Sequence, residues 1–152
     1  MRERWMSLTV TGIALVLAFS AGVSLGKNPR SRLSLPGRGD DLPFSHAVVA
    51  GGAIYIAGTI GIDPETGKPP ADPEAEAKLA MDGIKKKLAL AGATMDDLVA
   101  VQVFCPDLSL YEEFNAVYRT YFKDGFPSRA FVGSGPLLRG GRFEINGIAV
   151  KR

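Results

Sequence analysis

The chain has 152 residues, with 18 Lys and Arg against 16 Asp and Glu, a formal net charge of +2, one cysteine and one histidine. No Lys/Arg-rich patch with interleaved aromatics is present, which argues against a nucleic-acid partner. A lone Cys105 excludes an internal disulfide, and no cluster of ligand-type residues points to a metal or other cofactor.

The N-terminus differs from the rest. From Trp5 to Gly26 there is no charged residue, and Leu8 to Phe19 is a dense apolar run behind Arg2 and Arg4. Small residues follow it, as in a secretory signal peptide, with small–x–small cleavage sites at Ala18–Ser20 and Ser20–Gly22. The stretch is also just long enough to act as an uncleaved membrane anchor, and a misassigned start codon is a third reading. Residues 1–26 are thus read as signal peptide or anchor, 27–41 as a linker rich in Arg, Ser, Pro and Gly, and 42–152 as one globular domain. Cleavage would place the protein in the periplasm or outside the cell. The anchor would tie it to the membrane, and the start-site reading would leave it cytoplasmic.

Within the domain, Ala47–Ala50 and Ala53–Ala57 are β-prone runs split by Gly51-Gly52, a two-residue hairpin signal. Thr59–Ala71, with Asp63-Pro64-Glu65-Thr66-Gly67, reads as a loop. Asp72 caps a helix with Pro73 at its first position. Ala77, Ala80, Met81, Ile84, Leu88 and Ala91 give that helix one apolar stripe, opposite Lys78, Lys85 and Lys86, and Gly92 stops it. A strand is predicted at Leu98–Phe104, with Cys105 as a buried small hydrophobe. Ser109 and Glu112 make a capping-box pattern for a second helix whose inward face is Leu110, Phe114, Val117, Tyr118 and Tyr121. Two more strands follow, Pro127–Val132 and Arg142–Val150. His46, the lone histidine, is read as making a local hydrogen bond. The order ββαβαββ predicts an α+β domain, a mixed sheet with both helices on one face and nothing from this chain on the other.

Arg129 and Glu144 are the candidate catalytic residues, because each places a charge in an otherwise apolar strand. A buried charge is costly unless paired or used. A guanidinium fork matches a carboxylate, and a nearby glutamate can orient water. The competing reading is a structural Arg–Glu pair joining neighbouring strands. Period-two alternation puts Glu144, Asn146 and Ile148 on one face and Phe143, Ile145 and Ala149 on the helix-covered one, with Glu144 expected near Arg129.

Pro127-Ser128-Arg129-Ala130-Phe131-Val132 and Phe143-Glu144-Ile145-Asn146-Gly147-Ile148-Ala149-Val150 resemble the C-terminal signature of the RidA/YjgF family of enamine/imine deaminases. Leu42-Pro43-Phe44-Ser45-His46, Ile56-Ala57-Gly58-Thr59-Ile60 and Phe114-Asn115-Ala116-Val117-Tyr118 extend the resemblance from about Leu42 to Arg152. It implies a chorismate-mutase-like fold, a homotrimer with clefts between subunits, no cofactor, and hydrolysis of 2-imino acids to 2-keto acids and ammonia. By position, Arg129 would hold the substrate carboxylate and Glu144 the water. Asn115 would lie beside the cleft, with Gly58 giving a backbone approach. Phe44, Ala57 and Phe131 stand where the best-characterised deaminase branch has Tyr, Ser and Cys, which places Phe44 and Phe131 among the substrate-contact candidates. The two aromatic rings are equally readable as core residues. These exchanges leave open a non-catalytic trimeric binder of small carboxylates in the cell envelope. The endoribonuclease activity also ascribed to the family has less to support it here.

Overall fold

Residues 29–37 and 42–151 are described by a computed structural model. The signal-or-anchor segment lies outside the described residues, and within them no helix is long and apolar enough to cross a membrane.

Six strands form one sheet: β1 (Ser31–Leu33), β2 (Ala47–Ala50), β3 (Ala53–Ile60), β4 (Leu98–Cys105), β5 (Ser128–Gly133) and β6 (Glu144–Val150). Their spatial order is β1-β2-β3-β6-β4-β5, and all neighbours are antiparallel except β4 and β5. Helices α1 (Pro73–Leu90) and α2 (Tyr111–Arg119) pack together, and α1 lies on β3 and β6. The predicted α+β arrangement is therefore present, with one strand added. Ser31–Leu33, read as linker, pairs with Ala47–Val49. Its three residues are too few and too polar to show a period. Backbone pairing holds them, helped by the Leu35 amide donating to His46 Nδ1 at 3.2 Å.

Local chemistry explains most boundaries. Gly51 and Gly52 both have positive φ, 58° and 81°, which the tight β2–β3 turn needs. Asp72 accepts from the Glu74 and Ala75 amides, Pro73 opens α1, and Gly92 at φ 67° ends it. The Ser109–Glu112 capping box does not form. Asp107 instead accepts from the Ser109 amide and hydroxyl at 2.9 and 2.7 Å, making a short 3-10 turn that runs directly into α2. β3 extends to Ile60, beyond its expected end, because the β3–β6 register shifts between Ile56 and Thr59. A bulge there absorbs the irregularity and lets pairing resume.

The core is one cluster between the sheet and the helices, built from Ile54, Ile56, Val101, Val103, Ile145 and Ala149 below and Ala77, Met81, Ile84, Leu88, Phe114 and Tyr118 above. Cys105 belongs to it, and burial pushes its thiol pKa upward. The other sheet face has no cover among the described residues. Tyr55, Val132 and Ile148 are exposed there, their register partners alternating out of the core.

A half-buried ion pair joins Glu76 to Arg142. Glu76 on α1 is 0% exposed, and its Oε2 lies 2.7 Å from Arg142 Nε. Oε1 accepts from the Arg142 and Phe143 amides, and the Arg142 guanidinium also donates to the Pro70 and Ala71 carbonyls. Replacing Arg142 with Met would leave the carboxylate without its cation in a dry site. A loss of about 3–5 kcal/mol is expected in urea denaturation.

Candidate functional site

Parity along the strands separates the two candidate charges. Arg129 is in register with the buried Val101 of β4, so its side chain leaves the sheet on the helix-covered face. Glu144 is in register with Phe104, three residues further along β4, and so projects to the open face. β4 also lies between β5 and β6. The expectation that Glu144 lies near Arg129 therefore fails within one chain, as does a pair joining neighbouring strands. Ion pairs join Lys78 to Asp82 and Arg142 to Glu76, and neither includes Arg129 or Glu144.

Arg129 is held by α2. One terminal nitrogen donates to Asn115 Oδ1 at 2.7 Å and, weakly, to the Tyr111 hydroxyl at 3.4 Å. Its guanidinium carbon lies 4.4 Å from the Tyr118 ring centroid, and the rings of Tyr111, Phe114 and Phe131 surround it at 5.7–5.8 Å. A guanidinium is weakly hydrated and planar, so such faces hold it at little desolvation cost. Phe131 packs edge-on against Tyr111 and Phe114, serving as both core fringe and one wall of this cage. Burial raises the Tyr118 phenol to about 12, against the opposing pull of Arg129, and its hydroxyl has no hydrogen-bond partner among the described residues.

On the open face, Glu144 lies directly over Gly58. A Cβ at Gly58 would collide with Glu144 Oε1 and would stand 3.1 Å from its Cδ. A side chain at this position would make the Glu144 carboxylate swing aside, so glycine lets it rest directly over the strand. Phe44 is 51% exposed and meets the His46 ring edge-on, so its reading as a core residue is overturned. It lies in a bend before β2, with its ring open to solvent on one side. Sequence reasoning gave Tyr111 no role and Tyr118 only a core one. Their spacing of seven, with Asn115 midway, places all three along one side of α2 and was the available signal.

Among the described residues no group of three His, Cys, Asp or Glu could hold a metal ion. A groove of about 750 Å³ runs between α1 and α2 on the outer side, lined by Lys78, Asp82, Asp96 and Tyr121 among others. It contains none of the candidate residues. There the Tyr121 hydroxyl donates to Asp82 Oδ1 at 2.8 Å. Burial opposes ionisation of Asp82, but Lys78 and this hydroxyl outweigh it and hold the carboxyl below its ordinary range.

A sequence profile described as "Endoribonuclease L-PSP" matches residues 40–151. The chain belongs to this family, the RidA/YjgF family. Its relatives include the 2-iminobutanoate/2-iminopropanoate deaminase of Bos taurus, 38% identical over 110 residues that cover 72% of this chain and 80% of the relative. The Escherichia coli K12 protein of the same name is 34% identical, covering 72% and 88%. Among solved structures, a Rid-family protein of unknown function from Yersinia pestis has a TM-score of 0.73 at 30% identity, covering 80% of this chain and 99% of that one. The E. coli YjgF gene product has a TM-score of 0.68 at 32% identity, covering 80% and 94%.

Two expectations follow for this RidA/YjgF member. Gly58→Ala is expected to push the Glu144 carboxylate aside at a cost of about 1 kcal/mol. Adding Glu144→Ala to it should recover at least about 0.5 kcal/mol relative to additivity, measured by a double-mutant cycle in urea. Tyr118 and the unfolded chain both keep the phenol proton below about pH 10. Between that point and the folded value of about 12 only the unfolded state ionises, so stability falls as pH rises through this window. Tyr118→Phe should shrink that alkaline loss in melts recorded from pH 8 to 12, with neutral-pH stability unchanged or higher.

Proposed function

We propose that this chain hydrolyses 2-imino acids to 2-keto acids and ammonia, in a cleft that two copies of the chain complete. The observation that carries this reading is the state of the two charges. Among the described residues, Arg129 is caged by aromatic rings and hydrogen-bonded through one nitrogen, with no carboxylate partner, and Glu144 makes no ion pair. A caged guanidinium with free N–H groups suits a substrate carboxylate. Because the two residues leave opposite faces of one sheet, Glu144 of one copy would meet Arg129 of another. The uncovered sheet face, with Tyr55, Val132 and Ile148 exposed, supports such packing. A trimer is the assembly proposed from the family resemblance.

In this reading Arg129 fixes the carboxylate and thereby the iminium carbon. Glu144 accepts a proton from water as its oxygen bonds to that carbon, giving a tetrahedral carbinolamine. That proton passes to nitrogen, Glu144 then takes the hydroxyl proton as C=O forms and the C–N bond breaks, and ammonia and the keto acid leave. The iminium carbon is already electrophilic, so the protein supplies orientation and one base. The relatives named 2-iminobutanoate/2-iminopropanoate deaminase support this substrate class.

The test generates imines in situ with an amino-acid oxidase and follows keto acid and ammonia. Glu144→Gln is expected to lower turnover about 100-fold or more with little change in melting temperature. Arg129→Ala should raise KM and abolish most acceleration. Equal acceleration by wild type and Arg129→Ala would overturn the proposal. Carboxylate binding that depends on Arg129 but occurs without turnover would make the protein a binding protein instead.

A further inference from the structure

Helix α1 buries two opposite charges that the chemistry above does not use. Glu76 is 0% exposed and Lys87 4% exposed. They lie eleven residues apart, about three turns, and so face the same way. Both look down onto the sheet, and each grips backbone beside one half of the Glu144–Gly58 contact.

Glu76 holds the entry to β6. Its Oε1 accepts from the amides of Arg142 at 2.6 Å and Phe143 at 3.2 Å, the two residues immediately before Glu144. Lys87 holds the bulge of β3. Its Nζ donates to the carbonyls of Ala57 at 2.9 Å and Gly58 at 2.8 Å, and to Thr59 Oγ1 at 2.7 Å. In a regular strand, successive carbonyls point in opposite directions across the ladder. Here two successive carbonyls converge on one ammonium, a geometry that only the bulged backbone allows. The register shift between Ile56 and Thr59 is that bulge. It brings Gly58 beneath the Glu144 carboxylate. Helix and strand can approach this closely because Gly83 faces Thr59 Cγ2 and Gly61 faces the Glu76 carbonyl, where added Cβ atoms would collide.

We propose that Glu76 and Lys87 are positioning residues for Glu144, two buried charges on α1 that set the β6 entry and the β3 bulge from the covered face and so fix where the carboxylate stands on the open one. The kinetic consequence rests on the deaminase reading; the geometric one does not.

The experiment compares Lys87→Met, Lys87→Arg and Glu76→Gln in the full chain, with Lys86→Met, an exposed neighbour, as control. In the oxidase-coupled imine assay, Lys87→Met is expected to lower kcat per folded molecule about tenfold or more, with KM within about threefold of wild type. Lys87→Arg, which keeps donors for the carbonyls, should recover part of that loss, and Lys86→Met should change nothing. In ¹H–¹⁵N spectra the largest amide shifts on the sheet should fall at Gly58 and Glu144. A kcat loss no greater than the loss of folded protein would overturn the proposal, as would shifts at Gly58 and Glu144 no larger than elsewhere on the sheet. Should Lys87→Met not fold, Glu76→Gln and Lys87→Arg carry the same two readouts. If wild type shows no imine turnover, the deaminase reading fails, and the spectra alone decide the positioning role.

Discussion

The arrangement depends on how closely α1 can sit on β3 and β6, and the buried Glu76 carboxylate sets that distance. An ionised carboxylate at 0% exposure would be a large penalty on its own. Arg142 and two backbone amides offset it, and satisfying them requires the β6 entry to come up against the helix. Gly61 borders the Glu76 carbonyl and Gly83 of α1 borders the Thr59 methyl, with no room for a Cβ at either, so helix and strand meet closely there. The apolar stripe of α1 then meets the sheet at short range, and the irregular part of β3 lies within reach of Lys87.

A second balance operates at the edge strand β5. Arg129 carries a permanent charge into a region made mostly of rings, and its stability there comes from dispersion and ring quadrupoles together with one charge-assisted hydrogen bond from the guanidinium to Asn115. That differs in kind from the Glu76–Arg142 pair, where opposite charges neutralise each other. Arg142 is consumed by the fold, whereas Arg129 is oriented by it and keeps donors to spare. The two arginines thus differ in what surrounds them, one neutralised by a carboxylate and the other caged by rings.

Much of this was legible in the chain. The Asp72-Pro73 start and Gly92 stop of α1, the Gly51-Gly52 turn and the alternation of β6 all rest on local chemistry, and each formed as expected. Three features escaped for identifiable reasons. Ser31–Leu33 pairs through backbone groups, which leave no side-chain pattern. The Ser109–Glu112 cap lost to Asp107, which takes the Ser109 amide and engages the Ser109 hydroxyl that the box would have used. The sheet order was invisible to periodicity, and with it the separation of Arg129 from Glu144 onto opposite faces. Glu76 and Lys87 could have been found, since both fall on the stripe defined by Ala80, Ile84 and Leu88, where a charge is out of place.

The position of β6 also bears on how the protein is made. It is the last strand of the sheet in sequence, yet it lies between β3 and β4. Until it arrives, the hairpin side of the sheet and the β4–α2–β5 side share no strand-to-strand ladder, and the groups lining the gap are open edges. During synthesis the two halves must wait, each with part of the core uncovered, until β6 emerges and zips both ladders at once. Contacts between β3 and β6 span most of the domain's length, so closure is a long-range event expected to set the folding rate. A chain released before Glu144 would lack the central element of the sheet, leaving two sticky fragments in place of one shortened domain.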